Sequence, residues 1–171
     1  MARDVLTAFV LLVLAPQAGP CRGSVCTPAE VEAVYLQGWD AAQAAARVGG
    51  SPESLAPVRE AIATLERMAA GDHGPAEIAR YVLSAAADAA QDERDEMAIF
   101  LEHAVALERA QLDARQPGAP VITAHEAAGD LWLRVYRYED AKLAYERAKA
   151  VIGSTPRIEA GLTRVADALK R

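Results

Sequence analysis

At 171 residues the chain has the length of one domain with a substantial core, and 52% of its residues are hydrophobic while only 5% are aromatic. Ala and Leu therefore supply most of the apolar surface, a composition suited to helices packed close together, because Ala favours helix most and small side chains let axes approach. The formal net charge of −6, with no clustered basic face, excludes nucleic acid as an expected partner.

At the N-terminus, Arg3 precedes an apolar run from Val5 to Ala15 that Pro16 breaks. The run has the length of a signal-peptide core and falls short of the roughly 20 residues a membrane-spanning helix needs. Residues 1–18 are expected to be a signal peptide, with cleavage after Ala18 or as late as Gly23, leaving no transmembrane anchor; the alternative is an uncleaved helix over residues 5–15. The chain has no Asn and three Lys beside abundant Ala, Arg, Gly and Pro, the residue bias of a GC-rich bacterial genome, so the periplasm or the outside medium is the expected location. Cys21 and Cys26, the only cysteines, follow at once. An oxidising compartment lets them pair across a tight loop, whereas an isolated C-x4-C is a poor zinc site, because a closed site needs four ligands. Pro20 disfavours a lipid anchor on Cys21, and cleavage near Gly23 would leave Cys26 as a free thiol.

From Thr27 onward, residues 27–171 read as a single all-α domain. Thr27, Pro28 and Glu30 form a start signal for a first helix to about Arg47, which Gly49 and Gly50 end. Ser51 and Pro52 open a second helix that runs through Met68 to the Gly71-Asp72 break. Pro75 starts a third, ending near Gln91 and apolar on nearly every face, so it must be buried. The acidic group Asp92, Glu93, Asp95 and Glu96 suits the positive end of a fourth helix reaching about Arg115. Gln116 to Pro120 reads as a linker. Thr123 and Glu126 form a second capping box, opening helix five, which ends near Val135; helix six spans about Tyr138 to Ile152, and Gly153 stops it. Thr155 and Pro156 start the last helix, with the apolar stripe Ile158, Leu162, Val165 and Leu169.

Gly129, Trp132, Tyr138, Ala141, Tyr145 and Ala148 fall at fixed offsets across helices five and six. Over residues 122–153 this pattern resembles a tetratricopeptide (TPR) repeat, in which small and aromatic residues recur in that order. Weaker echoes are Ala61, Leu65 and Met68 in helix two and Met97, Leu101 and Ala104 in helix four. The resemblance implies three antiparallel hairpins stacked as a short α-solenoid with a C-terminal capping helix; a compact helical bundle is the alternative architecture. Tyr136 stands where a TPR turn usually has Gly, which leads to the expectation of a different turn geometry there.

The resemblance also implies a mode of action, because first helices of successive TPR hairpins line a groove that holds a peptide or protein segment. Carried onto this chain, the groove positions are Thr123, Glu126, Asp130, Leu133 and Arg134. Some TPR domains hold a terminal carboxylate with Lys and Asn; Glu126 and Asp130 occupy those places here, so a basic or mixed-charge segment is the expected partner. Self-association through the first hairpin or the last helix remains open. No metalloprotease, phosphate-loop, dinucleotide or serine-elbow pattern is present, and His73, His103 and His125 have no second His at ligand spacing, so no catalytic residue, metal or cofactor is expected. The expected function is that of an exported, non-catalytic scaffold or adaptor. The alternative, prompted by the Ala-rich third helix, is a bundle that carries an apolar small molecule or lipid.

Overall fold

A computed structural model describes residues 26–70, 74–114 and 123–170. The expected signal peptide, Cys21, the Gly71-Asp72 break, the Gln116–Pro120 linker and the end of helix four at Arg115 lie outside the described residues. Within them the fold is all-α: α1 (Pro28–Arg47), α2 (Ala56–Ala69), α3 (Gly74–Ala90), α4 (Arg94–Asp113), α5 (Ala124–Arg134), α6 (Tyr138–Ile152) and α7 (Pro156–Leu169), with no strand. None of the described helices is long and apolar enough to cross a membrane. Cys26 is nearly buried and disulfide-bonded.

Side-chain caps fix three of the starts. Thr27 forms a reciprocal box with Glu30, accepting the Glu30 amide at 3.3 Å while the Thr27 amide donates to Glu30 Oε2 at 2.7 Å. Thr155 accepts the Ile158 amide at 3.2 Å. Thr123 accepts the Glu126 amide at 3.0 Å, but the expected second half of that box is missing, because the Glu126 carboxylate turns towards Arg157 on α7. The second helix also starts later than Ser51 and Pro52 suggest. Residues 52–55 form a turn in which the Ser54 hydroxyl donates to the Ser51 carbonyl at 2.8 Å and Leu55 is driven into the core. Pro57 lacks an amide to continue the ladder back into that turn, so the regular helix begins beside it.

The helices pack in chain order. Each odd helix lies against the next helix and against the next odd one, and each even helix touches the odd helix that follows: α1 on α2 and α3, α2 on α3, α3 on α4 and α5, and so on to α7 on α5 and α6. The all-round apolar α3 is central, with Ala76, Ala79, Ala85, Ala86, Ala87, Ala89 and Ala90 buried where α1, α2, α4 and α5 converge on it. Those alanines are taken up in helix contacts. Close approach is demanded at Gly38, where a Cβ would stand 2.8 Å from the Cβ of Ala61 and closer still to Leu83.

Repeat-packing positions share one fate. Gly129, Ala141, Tyr145 and Ala148 are buried, Trp132 and Tyr138 partly so, and the echoes Ala61, Leu65, Met68, Met97, Leu101 and Ala104 are all buried. The turns repeat as well. Asp92, two residues beyond α3, has φ 62°, and Tyr136, two residues beyond α5, has φ 63°. In each turn the following amide reaches back five residues at 2.9 Å, Glu93 to the Asp88 carbonyl and Arg137 to the Trp132 carbonyl. Tyr136 therefore does not avoid the left-handed conformation that Gly supplies; it adopts it, at a steric cost. The hydrogen bonds of the two turns are equivalent to one another.

Candidate partner-binding groove

Helices α1, α5 and α7 border a groove of about 1060 Å³, with Tyr136 of the α5–α6 turn and Tyr138 at the start of α6 also in its walls. Helical spacing explains the lining. On α1, Tyr35, Trp39, Gln43 and Arg47 recur every four residues and share one stripe, as do Glu126, Asp130 and Arg134 on α5. From α7 come Arg157 and Arg164, seven residues apart. Trp39 and Tyr35 stack with centroids 6.0 Å apart, and the Arg157 guanidinium lies 5.8 Å from the Trp39 ring centre, so α7 reaches α1 across the gap. Between these rings and the second helix, Gly38 approaches Ala61, while Trp39 lines the groove.

Of the five sequence-derived groove positions, Asp130, Leu133 and Arg134 line it. Glu126 sits in its wall, 7% exposed, with Oε1 3.3 Å from Arg157 Nε. Thr123 is 3% exposed and serves as the α5 cap, so it presents nothing to a partner. Helix α7 pairs with both carboxylates of this set. Arg157 Nη2 and Nε contact Asp130 Oδ2 at 2.5 and 3.1 Å, Arg164 reaches Oδ1 at 3.3 Å, and the Tyr145 hydroxyl donates to Oδ1 at 2.5 Å. Burial works against the Arg157 cation, but Asp130 and then Glu126 outweigh it and hold its pKa above the ordinary arginine value. Burial raises the Glu126 pKa, with Arg157 opposing and Asp130 adding.

Two polar groups are left over at this face. The Tyr35 hydroxyl is buried without a hydrogen-bond partner among the described residues; burial pushes its pKa up, and the Asp130 and Glu126 carboxylates add to that against Arg157. Arg134 Nη1 is likewise buried and unpartnered. Burial lowers the Arg134 pKa, with Asp130 opposing and the nearby Arg47 adding.

A second, smaller cleft of about 240 Å³ lies between α4, α5 and α6, with Leu101, His125, Trp132 and Arg147 among its walls. Behind it Glu108, fully buried, accepts the Ala124 amide at 3.0 Å and the His125 amide at 3.4 Å, and its Oε2 is 2.6 Å from His125 Nδ1. This carboxylate from α4 satisfies two first-turn amides of α5 that have no partner within the helix. Nothing in the spacing of Glu108 and His125, 17 residues apart, announces the pair. His103 packs on the Tyr81 ring with centroids 5.2 Å apart. Among the described residues no three His, Cys, Asp or Glu side chains gather as metal ligands.

No family model, curated protein or solved structure matches the chain.

Proposed function

We propose that the chain is a short TPR-like α-solenoid of three hairpins and a capping helix, exported to the bacterial envelope, that holds a segment of a partner protein in the groove between α1, α5 and α7. It acts as a scaffold or adaptor and not as a catalyst. The architecture is supported by the chain-order packing and by the equivalent turns at Asp92 and Tyr136. Export rests on the apolar run before Pro16 and accords with the oxidised state of Cys26.

One observation carries the binding role: the groove gathers Trp39, Tyr136, Tyr138 and three arginines from α1, α5, α6, α7 and the α5–α6 turn, the residue types that dominate protein-binding hot spots. The expected basic or mixed-charge partner narrows with the lining, since its two carboxylates, Asp130 and Asp167, are already paired within the protein.

Photo-crosslinking tests the reading. A photoreactive residue placed at Tyr136 or at Gln43 should capture the same partner protein in the native envelope, and one placed at the exposed Ile99 on α4 should not. No adduct at either groove position, or equal capture at Ile99, rules the groove out.

A further inference from the structure

We propose that the groove takes an acidic segment of its partner protein, one carboxylate set against Arg134 and a neighbouring apolar or aromatic side chain packed among Trp39, Leu133 and Tyr136. The inference rests on the groove reading above and specifies its occupant.

Three observations converge on it. First, the acids of the groove are spent. Asp130 is held by Tyr145, Arg157 and Arg164, Glu126 by Arg157, and Asp167 by Lys170 at 3.4 Å. A basic segment would meet no unpaired carboxylate in the lining.

Second, the cations are not all spent. Arg134 has no ion-pair partner within 4.0 Å among the described residues, and its Nη1 is buried without an acceptor. A desolvated guanidinium is costly, and a carboxylate in the groove would offset the charge of Arg134 where it lines the wall. Arg47, on the same stripe of α1 as Trp39 and Gln43, brings a second cation to this end of the groove, and its field bears on Arg134. Helix C-terminal dipoles account for a cation in the last turns of α1 and α5. They do not account for a buried and unpartnered Nη1.

Third, Tyr136 holds a strained conformation without an internal return. A bulky residue at φ 63° is unfavourable where Gly would be at ease, and this ring is 72% exposed, touching Tyr138 edge-on with centroids 6.3 Å apart. It gives up stability to present an aromatic face at the groove mouth, beside Arg134. Aromatic and arginine side by side suit a carboxylate with an apolar neighbour.

The test selects short random peptides, displayed as a library, on the full chain and on the Arg134→Glu variant. The wild type should enrich peptides that place Asp or Glu next to Phe, Tyr, Trp or Leu, and the variant should lose that preference and shift towards Lys and Arg. The most enriched acidic peptide, synthesised and measured by fluorescence anisotropy, should bind the variant about tenfold more weakly or worse, the scale of one lost charge-assisted contact. Its affinity for Tyr136→Gly should fall as well, in a variant that relieves a strained turn and therefore folds. Enrichment of basic or neutral peptides, acidic enrichment unchanged by Arg134→Glu, or no enrichment overturns the inference. Crosslinking at Tyr136 and Gln43 judges the groove reading separately.

Discussion

The hydroxyl of Tyr145 on α6 donates to Oδ1 of Asp130 on α5 at 2.5 Å, so the carboxylate at the centre of the groove also satisfies the one polar side-chain atom of a fully buried ring. Groove and core are thereby joined through a single acid. Arg157 and Arg164 dock α7 onto the same carboxylate.

Asp130→Ala should therefore loosen α7 as well as the groove. It strands the Tyr145 hydroxyl and removes the main partner of a half-exposed arginine, a combined cost of about 2–3 kcal/mol. Tyr145→Phe deletes only the hydroxyl and should cost about 1 kcal/mol. Chemical denaturation of the two variants gives the comparison; equal stability of Asp130→Ala and wild type would remove the acid from this role.

The Tyr145 ring is also gripped from two sides. A Cβ built on Gly129 of α5 would stand 2.6 Å from ring atom Cδ1, and one on Gly161 of α7 would stand 2.6 Å from Cε1. Gly161→Ala should displace the ring, break its bond to Asp130 and cost about 1–3 kcal/mol, the range for overpacking a tight core. Thermal unfolding measures it. A change within about 0.5 kcal/mol, as at an ordinary surface site, would mean that α7 moves aside freely.

Glu108 is the other buried acid on which an interface turns. Its carboxylate covers two α5 amides and contacts His125, linking α4 to α5 across 16 residues of sequence. Glu108→Ala should cost about 3 kcal/mol, because it uncovers the α5 amides in a dry site. Glu108→Gln, which keeps an acceptor of the same shape, should cost less. Hydrogen exchange at the Ala124 and His125 amides reports the loss directly: acceleration at both in Glu108→Ala, and in Glu108→Gln protection kept only at the amide that meets the remaining carbonyl oxygen, because the two amides bind different oxygens of the carboxylate.

Acid should stabilise one corner of the fold. Asp88, at the end of α3, has its pKa raised to about 6 by burial first and then by Glu93 and Glu96. A free Asp titrates near 3.9, so between about pH 4 and pH 6 the folded chain keeps a proton that the unfolded chain has released. Stability from this group therefore falls as pH rises through that window, by about 1 kcal/mol or less once solvent screening of a half-exposed carboxyl is allowed for. Glu126, raised by burial, pulls in the same direction. Asp88→Asn should be more stable than wild type at pH 7 and should flatten the pH dependence between 4 and 6; an unchanged profile in the variant would show that the charge is not strained.

Local chemistry made most of the helices legible. Thr27, Thr123 and Thr155 mark starts, Gly49 and Gly153 mark stops, and the alanine coat of α3 places it in the centre. Sequence misread two places for identifiable reasons. At Ser51 and Pro52 a turn signal looks like a helix cap until Pro57 is weighed as the residue that interrupts the ladder. At Glu126 a cap-box residue has a stronger partner 31 positions away in Arg157.

The TPR resemblance supplied Asp130, Leu133 and Arg134 as groove positions, and all three line the pocket. It gave no means of knowing that α7 would neutralise its acids or that Trp39 of α1 would close the far wall, because both depend on how helices distant in sequence pack together. Glu108 with His125 was hidden for the same reason. A carboxylate on one helix and an imidazole on the next carry no periodic signature.

Hydrogen exchange of the full chain with and without the strongest acidic peptide from the display selection tests the central claim most directly. Slowed exchange should fall in residues 39–47, 130–138 and 157–168, the three walls of the groove, and should vanish in Arg134→Glu at the same peptide concentration. Slowed exchange confined to residues 98–105 and 140–147, around the smaller cleft between α4, α5 and α6, would place binding on the opposite surface and contradict the account.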